Sequence, residues 1–434
     1  LLRLVFLPSL VFSSADEFRL LQYLKENYDF FERPVENSST PLDVKVRFIL
    51  NQILDVDEKN QVMSVLAYID YHWSDYKLAW DPRRFGGVTE IRFSGASDAV
   101  HKIWRPDILL FNSVSSSFDS TYSSQFIVRH DGRVQQNPPG IFRFSCLIDV
   151  TFFPFDDQTC FLKFGSWNYS GNKINLDMLL TGLFAENGSP ISAVPQRMNP
   201  ESPDSYYVNE SIDLQVYISS GEWDLLSTPG RRVVTHFDKE TYHELYFYIR
   251  MRRRTLAYGI NLIIPSLVIS VMTVLGFTLP PNACEKVTLE TTILLSVVFF
   301  LQMLSNMSPP QSRAVPILAA FFSCCLLDVS CSCVFTVLIL AMQHRKPETH
   351  DMSPLMRKVF IDWLPYVLLM RRPQHPRAPR TKVVVKSIAP IASLTSVMPS
   401  LALPRPSTTI FCRGQKEQTT KERKMGVLES SISI

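Results

Sequence analysis

Glycine is scarce in this chain, 15 residues among 434, and no glycine-rich turn of the kind that cradles a phosphate or a dinucleotide occurs. The G-x-S-x-G and H-E-x-x-H signatures are missing too, so no enzyme chemistry and no cofactor is expected. Charge of one sign is also lacking. Lys and Arg total 44 against 41 Asp and Glu, a net +3, which argues against a nucleic-acid binder, whose affinity comes mostly from a basic surface. Asp55-Val56-Asp57 resembles the opening of a calcium loop, but Asn60 stands where such a loop requires glycine, and no metal is expected. Cysteine is thin in one half: the first 250 residues hold only Cys146 and Cys160, while the other six lie beyond.

What the chain has in quantity is apolar residues, 46% of the total, unevenly spread. Residues 1–12 are almost wholly apolar apart from Arg3, and Ser13-Ser14-Ala15 follow as small residues, the pattern of a signal-peptide remnant over 1–15. Residues 256–279 run without a charge, 287–307 hold one (Glu290) and 314–342 hold one (Asp328). Each stretch is long enough to cross a bilayer, so three membrane spans are expected. Ionisable groups inside spans usually face protein or water, and both acids are expected to pack between helices. Residues 383–403 are the one later apolar stretch. They contain Lys386, Pro390 and Pro399, and a prolyl break with a charge at mid-membrane is costly, so no fourth span is expected.

Four N-x-S/T sequons, at Asn37, Asn168, Asn187 and Asn209, share the first half with the two cysteines. They place that half outside the cell, where a disulfide persists and sequons can be glycosylated. The later cysteines are expected as free thiols. Arg252-Arg253-Arg254 abuts the first span on this outer side, against the positive-inside rule. Arg345, Lys346, Arg357, Lys358, Arg371 and Arg372 follow the third span, as a cytoplasmic segment should.

Phe18, Leu21, Leu24 and Tyr28 recur at helical spacing and predict a helix over 16–33. From Pro41 to Tyr248 short alternating runs such as Val44-Lys45-Val46-Arg47-Phe48, broken by Pro, Gly, Asn and Asp, predict an extracellular β-sandwich over 16–253. The Pro-, Ser- and Asn-rich stretch 181–212 is expected as a long surface loop. A helical transmembrane domain should occupy 254–342 and a cytoplasmic segment 343–434. Within that segment Leu355, Val359, Trp363 and Tyr366 share one face of a helix over 354–370, suited to a membrane surface. Beyond Arg371 the composition is that of a disordered tail.

Cys146 and Cys160 enclose Phe153-Pro154-Phe155-Asp156. With Trp104-Arg105-Pro106-Asp107, Gly165-Ser166-Trp167, Gly221-Glu222-Trp223 and Met251-Arg252-Arg253-Arg254, in that order, the chain resembles nicotinic-like subunits of the Cys-loop ligand-gated ion channels over roughly residues 16–371. The resemblance implies an N-terminal helix, an immunoglobulin-like sandwich of about ten strands and a helical bundle assembled with four further subunits. It also implies a Cys146–Cys160 disulfide; a bridge around so short a loop would be worth roughly 3 kcal/mol by chain entropy.

In that family a small cationic agonist sits between subunits in a cage of aromatic rings, each good contact worth about 0.5–2 kcal/mol. Carried over, the principal face would offer Phe111, Trp167 and Tyr242, with Phe237, and the complementary face Tyr68. Phe111 stands where tyrosine is usual and Tyr68 where tryptophan is. The paired cysteines that mark alpha subunits are replaced by Phe237-Asp238-Lys239-Glu240, which implies a non-alpha subunit. Acetylcholine is the default agonist, with choline, betaine or a biogenic amine as alternatives.

In the second span Glu285, Thr288, Thr292, Leu295, Phe299, Gln302 (or Met303) and Asn306 fall on one stripe. Five copies of Glu285 would ring the inner mouth with carboxylates and favour cations. The matching stretch of the family's anion channels reads Pro-Ala-Arg; here it is Asn282-Ala283-Cys284-Glu285-Lys286. Coupling between the sandwich and the pore would run through Glu58 paired with Arg253, the Phe153, Pro154, Phe155 and Asp156 loop, and Pro316. These features imply a plasma-membrane, synaptic cation channel in contact with lipid. The rival expectation, from three spans, is a non-conducting or dominant-negative subunit that joins complete ones.

Overall fold

The computed structural model describes residues 13–26, 28–96, 102–199, 202–280, 285–308, 315–345 and 353–369. Residues 1–12 of the expected 1–15 signal remnant, the 383–403 stretch and the expected tail lie outside them, as do Cys284 and Cys412, while residues 13–15 begin the first helix. The chain divides into two units, 1–351 and 352–434.

Helix α1 spans Ser13–Lys25, so the predicted 16–33 helix is shorter at its end and longer at its start. Tyr28 is not part of it: its hydroxyl donates to Asp75 Oδ2 at 2.6 Å and accepts from the Trp104 amide at 3.0 Å. Those long-range bonds draw the segment onto the sandwich in place of another helical turn.

Strand β1 (Leu42–Asp57) buries Leu42, Val44, Val46, Phe48 and Leu50 and turns Asp43 and Lys45 outward, the period-2 pattern of a half-buried strand. It pairs antiparallel with β2 (Val62–Ala79), setting Arg47 opposite Asp70 and Ile49 opposite Tyr68. These two are central to an eight-stranded sheet. A seven-stranded sheet faces it, built around β3 (Asp157–Ser166), β4 (Gly230–Phe237) and β5 (Glu240–Arg253), with β5 paired to both others. Phe48 of the first sheet meets Phe164 and Phe247 of the second at 6.0 and 5.6 Å. Aromatic packing of this kind adds to the apolar area buried between two sheets. Part of the expected 181–212 loop is strand: Ser202–Val208 joins the second sheet beside β4, with Tyr206 opposite Arg232. Its polar residues suit a strand near a sheet margin and mask it in the sequence.

Cys146 and Cys160 are disulfide-bonded with Cα atoms 5.2 Å apart, and the Phe153–Pro154 peptide between them is cis. Among the described residues three helices long and apolar enough to cross a membrane follow: α2 (Leu256–Gly276), α3 (Lys286–Met307) and α4 (Ile317–Gln343). Cys324, Cys325, Cys331 and Cys333 are free thiols on α4. In the second unit a short helical run covers Pro354–Arg357, Lys358–Trp363 and Leu364–Val367. Its Leu355, Trp363 and Tyr366 are exposed, and so are Arg357 and Lys358.

Candidate functional site

The foot of the sandwich is organised around one arginine. Arg253, 3% exposed, sends Nε and Nη2 to Asp156 at 2.8 and 3.1 Å and Nη1 to Glu58 Oε1 at 2.6 Å. Its guanidinium also lies over the rings of Trp223, Phe153 and Tyr258 at 4.3, 5.0 and 5.5 Å. Burial disfavours the charge, but Asp156 and Glu58 outweigh it and hold the guanidinium above its ordinary pKa. The neighbouring arginines have acids of their own: Arg252 pairs with Asp157 at 2.7 Å and Arg254 with Asp224 at 2.6 Å. The triplet that defied the positive-inside rule is therefore locally neutralised by the sandwich. The same Cys146–Cys160 loop touches the membrane helices directly, since the Ile317 amide at the start of α4 donates to Thr151 O at 3.0 Å. Pro316 beside it is buried and Phe155 is 65% exposed.

Higher on the sandwich, Asp107 fixes the turn that presents Trp167. Its carboxylate accepts from Ser166 Oγ at 2.6 Å and from the Asn168 amide at 2.7 Å, and its carbonyl from the Trp167 amide at 3.3 Å. Two separated motifs, Trp-Arg-Pro-Asp and Gly-Ser-Trp, are thus halves of one clamp. Trp167 is left 61% exposed. Phe111 meets it edge-on at 5.8 Å, and Phe118, unmarked by any motif, approaches at 6.4 Å. Gly165 permits this, because a Cβ there would sit 2.8 Å from the Phe111 ring.

Behind the rings, Lys163 Nζ lies 5.5 Å from the centroids of both Phe111 and Tyr246 and 2.8 Å from Glu244 Oε1. Burial lowers the ammonium pKa, and Glu244 and Tyr246 together more than restore it. Lys163 and Glu244 also escaped the sequence motifs, because their pairing appears only when β3 and β5 lie side by side.

Tyr242 lies opposite Thr235 in the β4–β5 hairpin, and Phe237 at its tip is 74% exposed. Among the described residues neither makes a ring contact with Trp167. Tyr68 is on the other sheet, where Asn51 Nδ2 reaches its hydroxyl at 3.3 Å. The asparagines of all four sequons are exposed.

On α3 the exposed residues include Glu285, Thr288, Thr292, Leu295, Phe299, Gln302 and Asn306, while Glu290, Ile293, Val297 and Leu304 are buried against the rest of the chain. Leu295 and Phe299 are 70% and 66% exposed. Glu290 packs between α3 and α4 as expected, accepting from Thr336 Oγ1 at 2.8 Å. Asp328 does not: it sits on the exposed side of α4 in this chain, one helical face away from the buried Val329.

Residues 17–255 match the family model described as the neurotransmitter-gated ion-channel ligand binding domain. Residues 262–431 match the model of the neurotransmitter-gated ion-channel transmembrane region. The chain is 47% identical over 364 residues to the acetylcholine receptor subunit alpha-type acr-16 of Caenorhabditis elegans, covering 83% of this chain and 66% of that one. It is 44% identical over 365 residues to the neuronal acetylcholine receptor subunit eat-2 of the same species, 84% and 71%. To the acetylcholine receptor subunit alpha-like of Manduca sexta it is 40% identical over 365 residues, 83% and 66%. The matched region thus falls just short of two thirds of the acr-16 and Manduca sexta subunits. The family is one of ligand-gated channels, not of enzymes. This chain belongs to the neurotransmitter-gated ion channels, as a nicotinic-like Cys-loop subunit.

Proposed function

We propose that the chain serves as one subunit of a pentameric, cation-selective channel of the plasma membrane, at a synapse, opened by acetylcholine or a related amine. The observation that carries this is the exposed stripe on α3: an acid at its start, hydroxyls at Thr288 and Thr292, then Leu295 and Phe299. Hydroxyl and apolar side chains left bare along one helix face are accounted for by a fivefold axis lined with water. Glu285 at the start of that stripe would concentrate cations at one mouth. Leu295 and Phe299 are apolar enough to close a narrow pore by dewetting.

Trp167, Phe111 and Phe118 would form the principal half of the agonist cage, with Tyr242 and Phe237 closing over it from the hairpin. Tyr68 of a neighbouring subunit would supply the complementary half. The hairpin tip, Phe237-Asp238-Lys239-Glu240, has no paired cysteines and supports a non-alpha role, although relatives above carry alpha-type names. Glu58, Phe153–Asp156, Arg253 and Pro316 would transmit hairpin closure to α3 and α4. The exposed sequons would carry glycans on the extracellular face.

Bi-ionic reversal potentials test the pore assignment, measured in cells expressing the chain alone and with acetylcholine receptor subunits. Agonist-evoked current should follow the sodium gradient, and Glu285→Ala should weaken that preference. A current tracking chloride, or unchanged selectivity in Glu285→Ala, would refute it.

A further inference from the structure

The β4–β5 hairpin is held to the sandwich over only part of its length. On one side β5 is paired with β3 as far as Glu244, opposite Gly165. On the other, β4 is paired with Ser202–Val208 as far as Arg232, opposite Tyr206, and the Val234 amide makes one last bond, to Ser205 Oγ at 3.1 Å. Past those points residues 235–240 are exposed and, among the described residues, make no hydrogen bond or ion pair outside the hairpin.

Arg232 sits at that boundary, 7% exposed. Its Nε donates to Leu176 O at 2.9 Å and its Nη1 to Asp204 O at 3.2 Å. Its Nη2 donates to Asn175 Oδ1 at 2.6 Å and to His243 Nδ1 at 3.2 Å. A guanidinium has no acceptor, so His243 Nδ1 is the accepting atom, and a pKa lowered to about 4 leaves that ring neutral at pH 7. One side chain therefore joins four strands: its own, β5, Ile174–Met178 and Ser202–Val208. Thr241 is tied as well, since its carbonyl accepts from the Gly171 amide at 2.6 Å. Tyr242 stands between these two anchored residues; Phe237 stands among the unanchored ones.

We propose that Arg232 is a positioning residue for the agonist site: through His243 it fixes Tyr242 as a standing wall of the cage, so that only residues 235–240, carrying Phe237, swing over a bound amine. This rests on the agonist-site reading above and refines the closure described there, dividing the two hairpin rings between a fixed part and a moving part. A ring oriented in advance loses little freedom when ligand arrives, whereas a segment that must be ordered costs affinity. Arg232 thus acts on affinity through Tyr242 and not through Phe237.

Acetylcholine affinity tests this in cells expressing the full chain, alone and with acetylcholine receptor subunits. His243→Leu removes the acceptor and leaves the other three Arg232 bonds; His243→Asn offers an amide oxygen near the place of Nδ1. His243→Leu should weaken affinity about tenfold and His243→Asn less than about threefold. Arg232→Lys, which loses the fork, should match His243→Leu. Coupled residues are non-additive, so the His243→Leu loss should vanish beside Tyr242→Ala and persist in full beside Phe237→Ala. Equal losses in His243→Leu and His243→Asn, a loss that simply adds to that of Tyr242→Ala, or wild-type affinity in Arg232→Lys would overturn the proposal.

Hydrogen exchange on the purified full chain without agonist gives a second reading. The Gly171 amide, bonded to Thr241 O, should exchange about tenfold faster in His243→Leu and at the wild-type rate in Phe237→Ala. If the wild type binds no acetylcholine, the agonist-site reading fails and this proposal with it. If it binds, and His243→Leu alters neither affinity nor the Gly171 rate, this proposal fails alone.

Discussion

Arg253 and Asp156 form a two-pronged ion pair, at 2.8 and 3.1 Å, with the residues 3% and 4% exposed. Desolvating two charges costs about what their attraction returns, so such a pair adds little net stability, yet breaking it strands a buried charge at a cost of about 3–5 kcal/mol. Arg253→Gln should therefore lower the melting temperature of the full chain sharply and cut surface expression. Arg253→Lys should rescue little, since a point charge cannot reproduce the fork. Arg253→Met with Asp156→Leu should melt above Arg253→Gln. If the double variant is as unstable as the single, the penalty does not come from the stranded Asp156.

Trp167 is exposed because its backbone is clamped by Asp107, so its ring is free to meet a ligand. Successive fluorination of that ring weakens its quadrupole, and log affinity for acetylcholine should fall in step. Phe118→Ala should weaken apparent affinity about two- to thirtyfold, the span of one cation–π contact. A flat fluorination series would show that another ring takes the charge.

Leu295 projects from the exposed face of α3. Leu295→Ser or Leu295→Thr should wet a closed pore, giving spontaneous current and higher agonist sensitivity. Lower sensitivity at normal surface expression would contradict a hydrophobic gate at this level.

His243 is pulled down to about 4 by burial first and by the Arg232 guanidinium next, whose Nη2 lies 3.2 Å from its Nδ1. The folded chain binds this proton less readily than the unfolded chain, whose histidine titrates near 6.5. Stability from this group is thus present above about pH 6.5, falls as pH drops toward 4 and levels off below. Melting scans of His243→Gln should lose part of that acid sensitivity. An identical pH profile would show that the titration lies elsewhere; Asp204 and Asp177, which oppose the shift, are the first groups to test.

Much of this was legible in the residues. Alternation in 42–50 announced a half-buried strand, and charge-free runs announced membrane-length helices, because periodicity and length are local consequences of backbone geometry. The stripe from Glu285 to Asn306 needed only a helical repeat. The partners that give the foot of the sandwich its character were not local: Asp156 and Glu58 lie 97 and 195 positions from Arg253. The positive-inside rule ran against the outer placement that the sequons and the signal remnant gave the arginine triplet, and only the fold showed the acids that answer its charge, Asp157, Asp156, Glu58 and Asp224. Phe118 beside Trp167, and the Lys163–Glu244 pair behind them, likewise carry no spacing signal, since strand pairing and not sequence distance brings them together. Glu290 and Asp328 make the same point within the membrane helices. Each is a single acid in an apolar run, and only helix packing placed one inward against Thr336 and left the other on the surface.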